Sequence, residues 1–160
     1  MILYINGDAH AAAANAVINV VVAEEDIDLW WMGGSPHPEN LNASFGSYIS
    51  KVLKARLVVE AKPNQTNQDI IAATNRFIEQ NPVKEQLVVI IGFPENNFEQ
   101  LSEFGQQLKN QSIKHILYPT EDYVKWLTER KFEADEFGYF AADAHRAWAG
   151  NLIKPLTRIL

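Results

Sequence analysis

Cysteine is absent from the 160-residue sequence. Its absence excludes disulfides and thiolate metal sites and leaves the redox compartment open. No apolar run approaches the ~18 residues of a membrane-spanning helix, so no membrane partner is expected. The first residues combine no charged segment with a long apolar one, and no signal peptide is expected. Basic clusters are missing as well. The 14 Lys and Arg are interspersed with 20 Asp and Glu, for a formal net charge of -6. A chain without a basic stripe has little to offer a phosphate backbone, so no nucleic-acid partner is expected. There is no internal repeat and no low-complexity segment, and no cofactor is expected. Hydrophobic residues make up 47% of the chain, enough for a single domain over 1–160 with a sizeable core. A soluble, cytoplasmic product is the default expectation.

What is present is an alternation of short apolar runs and amphipathic stretches. Ile2 to Ile5 is apolar and breaks at Asn6-Gly7, which predicts a first strand and a tight turn. Ala11 to Ala14 predict a helix reaching about Val17, and the β-branched residues from Asn19 to Ala23 leave room for a strand. Residues 24–39 read as irregular, with Gly33-Gly34 and two prolines forbidding a regular element. Asn40 to Leu53 carries Leu41, Phe45, Tyr48, Ile49 and Val52 at helical spacing. Leu57 to Val59 predict the second strand. Asn67 to Glu79 predict a helix with Ile70, Ile71, Thr74, Phe77 and Ile78 inward. Leu87 to Ile91 reads as a strand buried on both faces. Asn97 to Leu108 predicts a helix with Phe98, Leu101, Phe104 and Leu108 in the core. Ile113 to Leu117 predict the fourth strand, Thr120 caps the next helix, and Lys131 to Tyr139 reads as a loop. Ala141 to Leu152 closes the chain as a helix with room to continue past Pro155. Strands alternating with helices predict a parallel sheet between two helical layers. Right-handed crossovers narrow this to a three-layer α/β/α sandwich of flavodoxin-like topology, strand order 2-1-3-4 with room for a fifth edge strand.

In such sheets chemistry sits beyond the carboxyl ends of the strands. That draws attention to Asp8-Ala9-His10 after the first strand. The order of polar signals is Gly7-Asp8-Ala9, Gly46, Asn67, then Asp135-Glu136-Phe137-Gly138-Tyr139-Phe140 and Ala144-His145-Arg146-Ala147-Trp148-Ala149. It resembles the SGNH/GDSL hydrolase family along nearly the whole chain, and most of all the compact members encoded by tailed bacteriophages. The resemblance implies a serine nucleophile at position 9, a histidine base at 139 oriented by Asp135, and an oxyanion hole from Gly46 and Asn67. Here the chain departs from it. Position 9 is alanine, which has no atom to attack a carbonyl, and position 139 is tyrosine, whose ordinary pKa near 10 makes it a poor base at neutral pH. A glycine of the pattern is replaced by Gln65. Losing either nucleophile or base already removes most of a triad's rate.

Other readings start from the same residues. Asp8 and His10 with Asp143 and His145 form a conceivable metal set, but zinc takes three or four ligands on rigid elements and residues two apart on a helix diverge, so no metal is expected. The alternative for His145 is a backbone hydrogen bond with one ring face buried. Asn67 either donates to a ligand oxygen or caps the helix after it. A relocated nucleophile would come from Ser35 or Ser44, with His37 as the nearby base. Trp30-Trp31-Met32 is either an interface patch or a lid over its own domain. The expected function is therefore a catalytically inactive binding or structural module, with protein partners that are copies of itself or virion subunits. As a phage product it would lie in the host cytoplasm or in the particle, decorating the capsid or attached to the tail. The alternatives are a weak or rewired serine-type esterase or deacetylase, and a small-ligand binder using Asp8, His10, Asn67 and Tyr139.

Overall fold

The β-branched and apolar runs do pair as a parallel sheet. In the computed structural model, which describes residues 1–29 and 36–160, four parallel strands lie in the order β2-β1-β3-β4. They are β1 (Ile2–Asn6), β2 (Arg56–Val59), β3 (Leu87–Phe93) and β4 (Lys114–Pro119). Leu3 of β1 is flanked by Leu57 of β2 and Val88 of β3. Every residue of β3 is buried, as its unbroken apolar sequence requires of a central strand covered on both faces.

Because side chains alternate along a strand, each strand feeds two cores. Leu3, Ile5, Val88 and Ile90 pack under α3 (Phe45–Leu53), α6 (Thr120–Glu129) and α7 (Ala142–Ile159). Tyr4, Val89, Ile91 and Phe93 pack under α4 (Asn67–Gln80) and α5 (Phe98–Asn110). The result is a three-layer α/β/α sandwich of flavodoxin-like order. Two short helices, α1 (Asp26–Leu29) and α2 (Pro38–Asn42), precede α3. No helix among the described residues is long and apolar enough to cross a membrane.

Several local expectations are corrected. No fifth strand joins the sheet among the described residues, and 19–23 forms no strand. The alanine run is not a helix but a chain of turns, with Ala13 and Asn15 left-handed at φ 58° and 57°. Alanines 11 to 14 are all buried there, so their small size lets an irregular segment lie inside the protein. Residues 24–39 are not wholly irregular, since α1 lies within them and α2 begins at Pro38. The stretch 40–53 is split at Ala43-Ser44, where Ser44 accepts the Ser47 N–H and starts a new helix. Phe98 is 74% exposed. Periodicity gives the face of a helix but not how far its partner layer extends, and at the first residue of α5 little covers the ring. Thr120 is the first helical residue after Pro119 and makes no side-chain cap. Pro155 lies inside α7, which continues through it with Leu152 and Leu156 buried on one side.

Two glycines set how closely elements approach. A Cβ at Gly46 would meet Ile5 Cγ1 at 3.0 Å, so its absence seats α3 on β1. Gly7 has φ 149°, and a Cβ there would meet the Gly92 carbonyl at 2.7 Å and the Ala11 Cβ at 2.8 Å. Gly7→Ala is therefore expected to destabilise the fold by at least about 2 kcal/mol. Gly150→Ala, in α7 where a Cβ meets nothing within 4 Å, is expected to stabilise it by up to about 1 kcal/mol. Urea unfolding of both variants beside the parent reads the difference; equal midpoints for Gly7→Ala and the parent would contradict it.

Candidate functional site

The strand order reverses between β1 and β3, and crevices at such points lie beyond the strands' carboxyl ends. The turn after β1 is locked there by a hydrogen-bond chain that is buried except at its Glu60 end. The Tyr4 hydroxyl donates to Glu60 at 2.6 Å and accepts from Asn6 Nδ2 at 2.9 Å. Asn6 Oδ1 accepts from the Gly7 N–H at 2.8 Å and from Gln65 Nε2 at 3.0 Å. Gln65 Nε2 also donates to the Gly7 carbonyl at 2.7 Å. Burial and the Glu60 contact push the Tyr4 phenol far above its ordinary range, keeping it a donor. Gln65, a departure from the family pattern, is thus the side chain that pins the turn.

From this turn Asp8, Ala9 and His10 line a cleft of about 310 Å³. Its other walls include Pro63, Asn64, Gln65, Pro94, Phe137 and Tyr139. The Asp8 Oδ1 accepts the His10 N–H at 3.0 Å. Ala9 is 5% exposed and packs with Ala14, Val21 and Tyr139. Tyr139 leans on His10, with ring centroids 5.2 Å apart. Burial first, then the charges of Asp8 and Asp135, raise the Tyr139 phenol above its ordinary pKa, so it is protonated at neutral pH and cannot serve as a base. A larger cavity of about 780 Å³ lies beside β2 and α4; Glu60, Asp69, Lys62 and Arg76 share its lining, and no aromatic ring lines it among the described residues.

Three assigned positions do something other than expected. Asp135 orients a loop, not a side chain at 139: its Oδ1 accepts the N–H groups of Phe137 and Tyr139, and its Oδ2 accepts Asn15 Nδ2 at 2.7 Å. Asn67 is fully buried and neither faces the cleft nor caps α4. Thr66 caps that helix, while the Asn67 amide donates to the Glu95 carbonyl and Gln100 and accepts the Glu95 N–H. Gly46 is a packing position on β1 and lines no part of the cleft. Ser44 is buried, with its hydroxyl on the Leu41 carbonyl, and His37 starts α2 by accepting the Glu39 N–H. The Ser44 hydroxyl is thereby committed to backbone groups and His37 Nδ1 to the start of α2. Trp30, Trp31, Met32 and Ser35 lie outside the described residues. Asp143 is exposed and His145 buried, and no group of three or more metal-ligating side chains occurs among the described residues.

Two features escaped sequence reasoning. Asn15 and Asn40 hold the 8–21 segment through its backbone. Asn15 Oδ1 accepts from Val20 and Val21 and its Nδ2 donates to the Val21 carbonyl. Asn40 Oδ1 accepts from Val17 and Ile18. The only signal was a polar residue inside an alanine run. The second feature is a buried cluster behind His10. Among the described residues, the buried side-chain polar atoms without a partner are His10 Nδ1, the Tyr123 hydroxyl, His145 Nδ1 and Trp148 Nε1. All four belong to one set of ring contacts around Tyr123, 5.4 to 6.1 Å between centroids. The Trp148 N–H lies near enough to the Tyr118 hydroxyl to oppose the rise of its pKa, but is not aligned as a hydrogen bond. His145 stacks on Phe45 at 6.1 Å and makes no backbone hydrogen bond through Nδ1.

Compared with family models, curated proteins and solved structures, the chain matches none.

Burial, with His10 adding to it, lowers the His145 pKa to about 3 from 6.5. The unfolded chain therefore takes up a proton below pH 6.5 that the folded chain refuses. This group's stabilisation is complete above pH 6.5 and is lost as pH falls toward 3, by up to about 1.4 kcal/mol per pH unit. Urea midpoints measured from pH 7 to pH 4 should fall accordingly, and His145→Phe should flatten the profile. An unchanged slope in that variant would assign the loss to other groups.

Proposed function

We propose that this chain is a catalytically inactive SGNH/GDSL-like module that works by binding, with the cleft at the end of β1 as its ligand site. One observation carries the reading. Where the resemblance implies a nucleophile, the turn presents the methyl group of Ala9, and Tyr139, a protonated phenol, packs against it. Acyl transfer by a triad needs a hydroxyl and a base that accepts its proton, and neither stands there. His10 is the imidazole that lines the cleft. Burial lowers its pKa against the pull of Asp8 and Asp135, and among the described residues no serine or threonine hydroxyl lines the cleft beside it. The setting we propose is a virion subunit, decorating the capsid or attached to the tail, and the support for that is the resemblance to phage-encoded proteins.

Hydrolysis of p-nitrophenyl acetate tests the chemical part. The parent should not exceed buffer, while Ala9→Ser combined with Tyr139→His tests whether the scaffold can still carry the reaction. Turnover by the parent well above buffer would overturn the reading in favour of a rewired esterase. Light scattering and co-sedimentation test the setting: a clean monomer that never enriches with particles would count against a virion role.

A further inference from the structure

The cleft has a charge that nothing in it balances. Asp8 is half-buried at its floor, and only one of its oxygens takes a hydrogen bond among the described residues, from the His10 N–H. No lysine or arginine lines the cleft. Residues 30–35, which lie outside the described part, are Trp, Trp, Met, Gly, Gly and Ser and carry no cationic group. The field of this carboxylate reaches the surrounding rings: it opposes ionisation of Tyr118, Tyr123 and Tyr139. His10 does not supply the missing positive charge, because burial keeps its ring neutral at neutral pH. Phe137, Tyr139, Pro63 and Pro94 share the lining with Asp8, beside the amide side chains of Asn64 and Gln65.

We infer that the cleft binds an organic cation, an alkylammonium group whose nitrogen pairs with Asp8 and whose carbon-bound hydrogens rest on Tyr139 and Phe137. This deepens the binding reading proposed above and rests on it. Two independent features select that chemistry. A partly desolvated carboxylate without a counter-ion rejects anions and gains most from a positive partner. Aromatic walls attract a cation through their quadrupole and also cover its alkyl surface. The volume of about 310 Å³ is at the small end of ligand sites, ~300–1,000 Å³. That suits an amine side chain or a small amine better than an extended oligomer. The methyl of Ala9 stands beside Asp8 where a hydroxyl would compete for hydrogen bonds.

The test is an NMR titration of the whole, isotopically labelled chain at constant ionic strength. The probes are n-butylammonium, its neutral counterpart 1-butanol, the anion butyrate, and methyl glucoside. Butylammonium should give saturable shifts at the amides of Asp8, His10 and Tyr139, and the other three should not. Asp8→Asn keeps an acceptor for the His10 N–H and should weaken butylammonium binding at least tenfold. Tyr139→Leu should weaken it several-fold while leaving Asp8 in place. Equal binding of butanol, tighter binding of the glucoside, no saturation by butylammonium, or full affinity in Asp8→Asn would each overturn the inference. Binding of the alcohol or sugar would leave the binding-module reading standing without the cation. Ester turnover by the parent would instead remove the module reading itself.

Discussion

The junction between Asn6, Gln65 and Gly7 holds the cleft end of this molecule in shape. A glycine at φ 149° with its amide and carbonyl both inside the protein is costly unless each polar group finds a partner. Asn6 takes the Gly7 N–H, and Gln65 takes the Gly7 carbonyl while bridging back to Asn6. The same chain continues through Tyr4 to Glu60, just beyond the end of β2. Two neighbouring strands and the turn that follows one of them are thus tied by side chains as well as by the sheet. The direction in which Asp8, Ala9 and His10 leave β1 follows from that junction.

Beyond it, the irregular segments around the cleft are clamped by side-chain amides and one carboxylate. Asn15, Asn40, Asn67 and Asp135 each bind backbone groups of irregular segments. In this way a segment of turns can be buried without orphaned backbone groups. Among the described residues, the buried side-chain polar atoms without a partner collect in one place around Tyr123. Three ring nitrogens and one phenol oxygen of the described residues are left unpaired in this single cluster, so the polar frustration of the buried side chains is concentrated behind the cleft.

The framework was legible in the sequence because it depends on period and run length. Leu87 to Ile91 could only be an interior strand, and Ile70, Thr74, Phe77 and Ile78 could only be one helix face; strand order followed from the alternation of elements. What was not legible depends on partners far away in the chain. The alanine run has the highest helix propensity available, yet Asn15 inside it and Asn40 outside it offer its backbone other bonds. Gln65 looks like a lost glycine until its amide is found on Asn6. Asn67 fits both a cap and an oxyanion donor by residue type, and only position distinguishes those roles from the loop clamp it is. Asp8, Ala9, His10 and Tyr139 do meet in one cleft, as the motif order suggested, whereas Gly46 and Asn67 serve the packing behind it.

The bond from Asn15 to Asp135 spans 120 residues, and the Ala142 N–H closes on the Ala16 carbonyl in the same region. One wall of the cleft is therefore made first during synthesis and the opposite wall last. All four strands are complete by Pro119, so the sheet can assemble before the cleft has a second side. Contacts of such long sequence separation form late and open early. The cleft is consequently a seal on the finished chain: the Asp135–Tyr139 side of it is synthesised only after every strand of the sheet.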